Sequence, residues 1–353
     1  MFEEKQAAAQ IGNRSGDELD KAWKAWVRSE EMIRIVLGLY ILDAELAGIF
    51  HHEPILRHNA KKLPVAASND AFTASTASRW AAIVAEQPRP DLTSQNSLVN
   101  ELTSPSYDSR GAIHVPQTSG RFAAYVILEG IGAAICEHKQ QGGSDPDVLE
   151  RFRDALNLWY VTHQRSETGH ESDPLCLMVL WHLTFMSLFA DFDLLERAIG
   201  RDGSEVARSN LVHVSDWASS IDAKRCVIHA SLVQKQIETM RIGTEPAIHV
   251  PRALFLAAIA WYCYTRFGSD VGLAVSSKEP LDFPEIKLLG INASLHLFEA
   301  NGFKTGKPSA IESSTLCGLT DLLQRIGHWE IARRFAAILG SLIHGETDEG
   351  LIL

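Results

Sequence analysis

Cysteine is scarce in this sequence, and no two cysteines lie close together. Successive cysteines are at least 37 residues apart, and the five are Cys136, Cys176, Cys226, Cys263 and Cys317. A structural zinc site or zinc cluster needs cysteine ligands two to four residues apart, so this spacing excludes such a site. An odd, scattered set of thiols is typical of a reducing compartment. We therefore predict an intracellular protein.

Positive charge and long apolar runs are also scarce. The chain has 33 Lys and Arg residues against 44 Asp and Glu residues, and its formal net charge is −11. This balance argues against direct binding of nucleic acid through a basic surface. The membrane candidate at 175–190 is short for a span, and the acidic N-terminus lacks the pattern of an export signal. We predict neither direct nucleic-acid binding nor a membrane partner.

Common catalytic and cofactor motifs are missing as well. The sequence contains no G-x-S-x-G, H-E-x-x-H or G-x-x-x-x-G-K-[ST] motif. Gly130 and Gly132 match the first two glycines of the dinucleotide-binding motif G-x-G-x-x-G, but Ile135 occupies the position of the third glycine. His51 and His58 span two helical turns, yet Pro54 interrupts any helix between them. We predict no cofactor and no metal site.

The sequence does have helical periodicity along most of its length. Hydrophobic residues make up 46% and charged residues 22%, which is typical of a globular protein. Alternating strand patterns are nearly absent, so we predict an all-α multi-helix bundle. The predicted helices cover 17–50, 73–85, 121–139, 147–164, 174–197, 204–219, 222–241, 250–267, 285–300 and 311–343.

Domain organisation follows from where this periodicity stops. Residues 1–16 lack it and lead up to the helix start predicted at Gly16-Asp17, so we predict a flexible N-terminal tail. Residues 17–353 form a single predicted helical domain. Within it, 86–120 is rich in proline and serine and has little periodicity. We predict a mobile loop there, either a surface loop or a lid over a site.

The first helix carries an acid and a base on its apolar face. Its three-and-four spacing of apolar residues predicts a buried stripe, formed by Leu19, Trp23, Trp26, Val27, Ile33, Leu37 and Ile41. Glu30 and Arg34 lie on the same face, four residues apart. Because an unpaired charge in an apolar environment is costly, we predict a structural ion pair between them.

These residues begin a longer pattern with a recognisable order. Two tryptophans are followed by an acid, a base, Leu-Asp, Pro-Ile-Leu and Leu-Pro, at Trp23, Trp26, Glu30, Arg34, Leu42-Asp43, Pro54-Ile55-Leu56 and Leu63-Pro64. The pattern resembles the fungal-specific transcription factor domain, the regulatory region that follows a zinc binuclear cluster. The match covers about residues 20–80, and the zinc cluster itself is absent from the sequence. The resemblance implies a helical regulatory fold, nuclear location, and a homodimer or a heterodimer with a related regulator.

Several residues are candidates for a ligand site. Trp181, His182 and Phe185 lie in the most apolar predicted helix, where a histidine is either a satisfied core residue or a donor facing a pocket. Trp261 and Tyr264 lie together on a later helix, as core residues or as a ligand-binding wall. We name these five as candidate ligand-binding residues for an apolar small molecule.

Three functions remain open at this stage. The first is a regulatory module that senses an apolar ligand, with DNA contact supplied elsewhere. The second is a cofactor-free enzyme in the cytoplasm, a cyclase or isomerase of secondary metabolism, with a pericyclic reaction as one option. Its candidate catalytic residues are His182, Tyr40 and Asp43, the last as a carboxyl facing a pocket or as a structural partner. The third is a decoy or scaffold that binds a related regulator.

Overall fold

The fold contains fourteen helices in the part of the chain that the computed structural model describes. That part comprises residues 16–56, 64–86, 120–143, 145–163, 173–240, 245–268, 281–300, 308–326 and 329–344. No strand occurs within these ranges, and the predicted all-α fold is confirmed. The predicted mobile loop, apart from its end residues, and the predicted tail, apart from Gly16, lie outside the described residues.

The first seven helices run from the N-terminal region to the middle of the chain. They are α1 Gly16–Phe50, α2 Asn69–Phe72, α3 Ala77–Glu86, α4 Arg121–Gln140, α5 Pro146–His163, α6 Leu177–Phe189 and α7 Phe192–Ala198. The other seven complete the bundle. They are α8 Ser204–Ala218, α9 Ile221–Glu238, α10 Val250–Phe267, α11 Pro284–Leu288, α12 Ala293–Ala300, α13 Pro308–Arg325 and α14 Glu330–His344.

Four predicted helices need correction. The segment predicted as 73–85 begins at Ala77 and is preceded by the separate short helix α2. The segment 285–300 is two helices, because Gly290 between them has a φ of +71° that a continuing helix does not allow. The segment 311–343 divides into α13 and α14. The segment 174–197 divides into α6 and α7, which meet at an angle of 74°.

The break between α6 and α7 has an identifiable cause. Ala190 is extended, with φ −132° and ψ 143°, and Asp191 caps α7 by accepting a hydrogen bond from the Leu194 backbone N–H. Lys139 of α4 donates hydrogen bonds to the carbonyl oxygens of Ser187 and Ala190, at 2.5 and 2.8 Å. These contacts satisfy carbonyls that a helix leaves free where it ends.

The core is built around α6, α9 and α10. Most side chains of α10 are buried, and most side chains of α6 are buried as well. Both helices are apolar around nearly their whole circumference. A helix that is hydrophobic all round belongs inside a protein, so these helices form its centre. Among the described residues, no single helix has the length and hydropathy of a membrane span. The bent pair of α6 and α7 reaches those values only when its two helices are counted together.

The two halves of α1 pack in different places. The N-terminal half contacts α2 and α3, where Trp26 lies 5.5 Å from Trp80 between ring centroids and Trp23 packs nearby. The C-terminal half packs on α4, and its side chains Leu37 and Ile41 are buried in the main core. The apolar stripe predicted on α1 therefore serves two separate hydrophobic clusters.

Glu30 and Arg34 join α1 to the segment before α2. Arg34 Nε lies 2.9 Å from Glu30 Oε1, so the spacing correctly indicated a contact between them. The same Glu30 oxygen accepts a hydrogen bond from the Ala67 N–H, and Arg34 donates one to the Ala67 carbonyl. The Arg34 guanidinium also lies over the Phe72 ring, 4.2 Å from its centroid. The pair therefore holds backbone from another segment as well as balancing its own charge.

This geometry predicts that Arg34→Ala destabilises the fold. The substitution removes the partner of the buried Glu30 carboxylate, which keeps only the Ala67 N–H. Because the Arg34 side chain is partly exposed, we expect a loss of about 2–3 kcal/mol, below the usual range for fully buried pairs. Urea denaturation measures it, and Arg28→Ala on the exposed side of α1 is the matched control. Equal free energies of unfolding for both variants would show that the Glu30–Arg34 pair and its bonds to Ala67 do not stabilise the fold.

Candidate functional site

Three candidate ligand-binding residues form one aromatic cluster on α6. The rings of Trp181 and Phe185 are edge to face, with centroids 4.7 Å apart, and Trp181 also contacts His182. The structure adds a residue that the sequence did not single out, His229 of α9. Its ring stacks on Phe185 at 4.7 Å and 10°, and its Nδ1 lies 2.9 Å from Nδ1 of His182. The cluster therefore contains a hydrogen-bonded histidine pair.

Both histidines are neutral at physiological pH. Burial lowers the pKa of His182 to about 3, and burial together with the neighbouring His182 lowers the pKa of His229 well below its usual value. A hydrogen bond between two Nδ1 atoms needs one donor and one acceptor, which two neutral rings provide. His182 is 1% exposed and His229 is fully buried. A small molecule reaches this pair only if α6 and α9 separate locally.

Among the candidate ligand-binding residues and His229, two buried ring nitrogens have no hydrogen-bond partner in the described part of the chain. They are Nε2 of His229 and Nε1 of Trp261. Trp261 contacts Tyr264 edge-on at 6.1 Å on α10, so these two candidates lie together there. An unsatisfied polar atom in a core costs free energy, and a hydrogen-bonding group of a ligand would remove that cost.

The three candidate catalytic residues lie in two places, because Tyr40 and Asp43 are close together on α1 and His182 is on α6. His182 is in the aromatic cluster, whereas Tyr40 packs on α4, where a β-carbon at Gly130 would lie 2.9 Å from its hydroxyl oxygen. The Asp43 carboxylate accepts hydrogen bonds from the backbone N–H groups of Ile55 and Leu56, at 3.1 and 2.9 Å. Of the two roles considered for Asp43, a carboxyl facing a pocket or a structural partner, these hydrogen bonds correspond to the structural one.

A second buried cluster, which the sequence did not reveal, joins α1, α4 and α10. Arg252 donates two hydrogen bonds to the Glu45 carboxylate, at 3.0 and 2.5 Å. The guanidinium lies against Gly48, where a β-carbon would be only 2.5 Å from Nη1. Glu129 of α4 lies close to Glu45 and to Tyr125. Two carboxyl groups therefore share a single buried cation.

Glu129 is the carboxyl group of this cluster whose protonated form is favoured by burial. Its complete burial raises its pKa well above the usual value, and the negative charge of Glu45 raises it further. Arg252 lowers the pKa of Glu129 by a smaller amount. A protonated Glu129 leaves one negative and one positive charge, Glu45 and Arg252, as a balanced buried pair.

The network continues through Tyr125 to His249. His249 Nε2 lies 3.1 Å from the Cys176 carbonyl oxygen, which can only accept, so Nε2 carries the proton. Burial lowers the pKa of His249 to about 4, so its ring is neutral and Nδ1 is an acceptor. The Tyr125 hydroxyl, 3.1 Å from Nδ1, therefore donates to it. These two hydrogen bonds fix His249 in the tautomer that carries its proton on Nε2.

In the described ranges, no group of three or more His, Cys, Asp or Glu side chains is arranged so that it could hold a metal ion. His51, considered above as a metal ligand, lies with Nε2 3.0 Å from the Glu196 carboxylate. Glu196 is in turn paired with Arg201 at 3.1 Å. His58 lies outside the described residues. In the described part of the chain, Glu196 thus contacts both His51 at the end of α1 and Arg201.

The carboxyl cluster predicts opposite effects for two similar substitutions. Glu129→Gln replaces a protonated carboxyl by a neutral amide of the same shape, so we expect a change within about 1 kcal/mol. Glu45→Gln leaves Arg252 buried without its counter-charge and should cost about 3–5 kcal/mol. Urea denaturation at pH 7 compares the two. Similar losses would show that Glu129 is also ionised.

The low pKa of His249 predicts a pH dependence of stability. Between pH 6.5 and 4 the unfolded chain binds a proton at this residue and the folded chain does not. Folding stability from His249 is therefore present above pH 6.5 and falls with pH, by about 3 kcal/mol at pH 4. His249→Gln lacks this loss, so the stability difference between wild type and variant should shrink by that amount.

Urea denaturation at pH 7, 5.5 and 4 measures this difference. The exposed His213 supplies the control, because His213→Gln should follow the wild-type profile at every pH. A constant difference for His249→Gln across this range would mean that His249 titrates alike in the folded and unfolded states.

Comparison with known proteins gives one similarity. A protein from Gibberella fujikuroi named "Transcription factor" is 23% identical over 290 residues, which cover 81% of this chain and 35% of that protein. The chain thus spans about a third of the length of this relative. No family model matches the chain, and no solved structure matches it. The chain is similar to a fungal transcription factor along most of its length.

Proposed function

We propose that this chain is a regulatory module of the kind found in fungal transcription factors and that it senses an apolar small molecule. The observation that carries the regulatory part is the similarity to a transcription factor over 81% of the chain. An all-α core with aromatic clusters between its helices is compatible with this role. The proposal places the protein in the nucleus.

The sensing element in this proposal is the contact between α6 and α9. It joins the histidine pair, His182 and His229, to the rings of Trp181 and Phe185. A ligand entering there would meet apolar walls and one unsatisfied nitrogen, Nε2 of His229. The expected ligand is therefore largely apolar and has one hydrogen-bonding group. Separating two buried helices would couple its binding to the shape of the bundle.

In this proposal the 353 residues described by the sequence do not contact DNA themselves, and other residues supply that contact. A net charge of −11 repels the phosphate backbone, and no pair of cysteines here has the spacing of a zinc cluster. A regulator of this kind changes transcription by binding other proteins or by controlling an attached DNA-binding segment. The enzyme alternative keeps His182, Tyr40 and Asp43 as its candidates, of which Tyr40 and Asp43 lie close together on α1 and His182 lies on α6.

A reporter assay tests the proposal directly. The chain is fused to a heterologous DNA-binding domain in a filamentous fungus, and transcription is compared with that from the DNA-binding domain alone. We expect a change of about fivefold or more when an organic extract of fungal metabolites is added, as is usual for allosteric coupling. Bound compounds are then identified by native mass spectrometry and organic extraction.

Matched variants connect the response to the sensing element. His229→Phe keeps a ring stacked on Phe185 but removes the polar atoms, so the response to the extract should disappear while the protein stays folded. His213→Gln on the exposed side of α8 should keep the full response. No effect of the fusion with or without extract would refute the regulatory role. If the His229→Phe variant still responds to the extract, the ligand binds somewhere other than this cluster.

A further inference from the structure

The C-terminal half of α1 has an apolar face that no described part of the chain covers. From residue 32 to residue 50 every exposed side chain of this helix is apolar, each between 39% and 62% exposed. They are Met32, Ile35, Val36, Leu39, Leu42, Leu46 and Phe50. At about 100° per residue, all seven fall within about 120° of the helix circumference. We call this set the α1 stripe.

The α1 stripe contains no exposed charged side chain, and the structure shows the reason. Asp43 falls within the same arc of the helix, but its carboxylate is occupied by the backbone N–H groups of Ile55 and Leu56. These bonds also hold Ile55, which is 82% exposed, and Leu56 beside the stripe. The exposed side of the N-terminal half is different, because charged residues such as Lys24 and Arg28 occupy it. The apolar surface therefore begins sharply at Met32.

The area of this surface is too large for a typical monomer. From their exposed fractions, the nine side chains of the stripe and the following turn present roughly 800 Å² of apolar surface. The largest apolar patch on a typical monomer is about 300–600 Å². A stable interface buries about 800 Å² on each partner, so this surface alone approaches that size.

The order of side chains along the stripe suits a second copy of the same helix. Met32 and Phe50 lie nine residues on either side of Ile41, and Val36 and Leu46 lie five residues on either side. Leu39 and Leu42 flank the centre. A two-fold contact brings residue i to residue j and j to i, so two antiparallel copies would match large apolar side chains along their whole length.

We propose that this face is a homodimer interface, in which α1 of a second copy packs antiparallel against the α1 stripe around Ile41. Leu39 of each copy would contact Leu42 of the other. The inference rests on α1 alone and does not depend on the proposed regulatory function. A rigid helix anchored to the core on its other side loses little conformational freedom on association.

The mass of the protein in solution tests the dimer. Sedimentation equilibrium and light scattering at about 1–100 µM should give about twice the chain mass of 39.0 kDa. Leu39→Lys and Leu42→Glu should each give a monomer, because a charge would be buried in the interface. Val212→Lys is the matched control, since Val212 is an exposed apolar residue on α8, away from α1. It should leave the dimer intact.

Mixing the two variants tests the antiparallel order. A chain with Leu39→Lys and a chain with Leu42→Glu should associate when mixed, because the introduced lysine of one meets the introduced carboxylate of the other. A parallel pair would place residue 39 against residue 39 and would not be rescued. Circular dichroism should show equal helicity and unfolding temperature for the monomeric variants, since both side chains are exposed in the isolated chain.

Three results would overturn the proposal. A wild-type monomer at every concentration would mean that another segment or a different protein covers the stripe. A dimer that withstands Leu39→Lys and Leu42→Glu would place the interface on another surface. Two monomeric variants that do not associate when mixed would exclude the antiparallel pairing around Ile41.

Discussion

The ion pair between Glu45 and Arg252 connects the first helix of the protein to the most buried helix of its core. Both charges are removed from water, and each is stable there only because the other is within 3.0 Å. Gly48 gives the guanidinium its space, since a β-carbon there would collide with Nη1. Charge neutralisation therefore fixes the position of α1 along α10 in addition to the apolar packing of Leu37 and Ile41.

The same constraint governs the other polar groups of the interior. Burial, and then the negative charge of Glu45, raises the pKa of Glu129, and burial lowers the pKa of His182, His229 and His249. A core that contains both histidines with lowered pKa values and a carboxyl with a raised pKa depends on pH in two opposite ways. Acid protonates the histidines of the unfolded chain and destabilises the fold, whereas a carboxyl with a raised pKa favours the folded state at low pH.

What the sequence could predict was local. Glu30 and Arg34 are one helical turn apart, and helix geometry alone brings them into contact. The end of α6 at Ala190 could not be read locally, because the lysine that caps it is 51 residues away on α4. His182 was recognisable as a polar residue in an apolar helix, but its partner lies 47 residues away and looks unremarkable in the sequence. Glu45 and Arg252 are 207 residues apart, and no pattern joins them.

The outer face of α1 shows how one helix carries both kinds of information. Periodicity identified Leu37 and Ile41 as buried, and they are. The remaining apolar positions of the same helix are equally periodic, but shifted to the opposite side. A helix that is apolar on both sides normally lies inside a protein, and here only one side faces the core. The polar contacts of α1 fix which side that is: Glu30 and Glu45 turn inward to their partners, and the uncharged stripe is left outward as a surface for association.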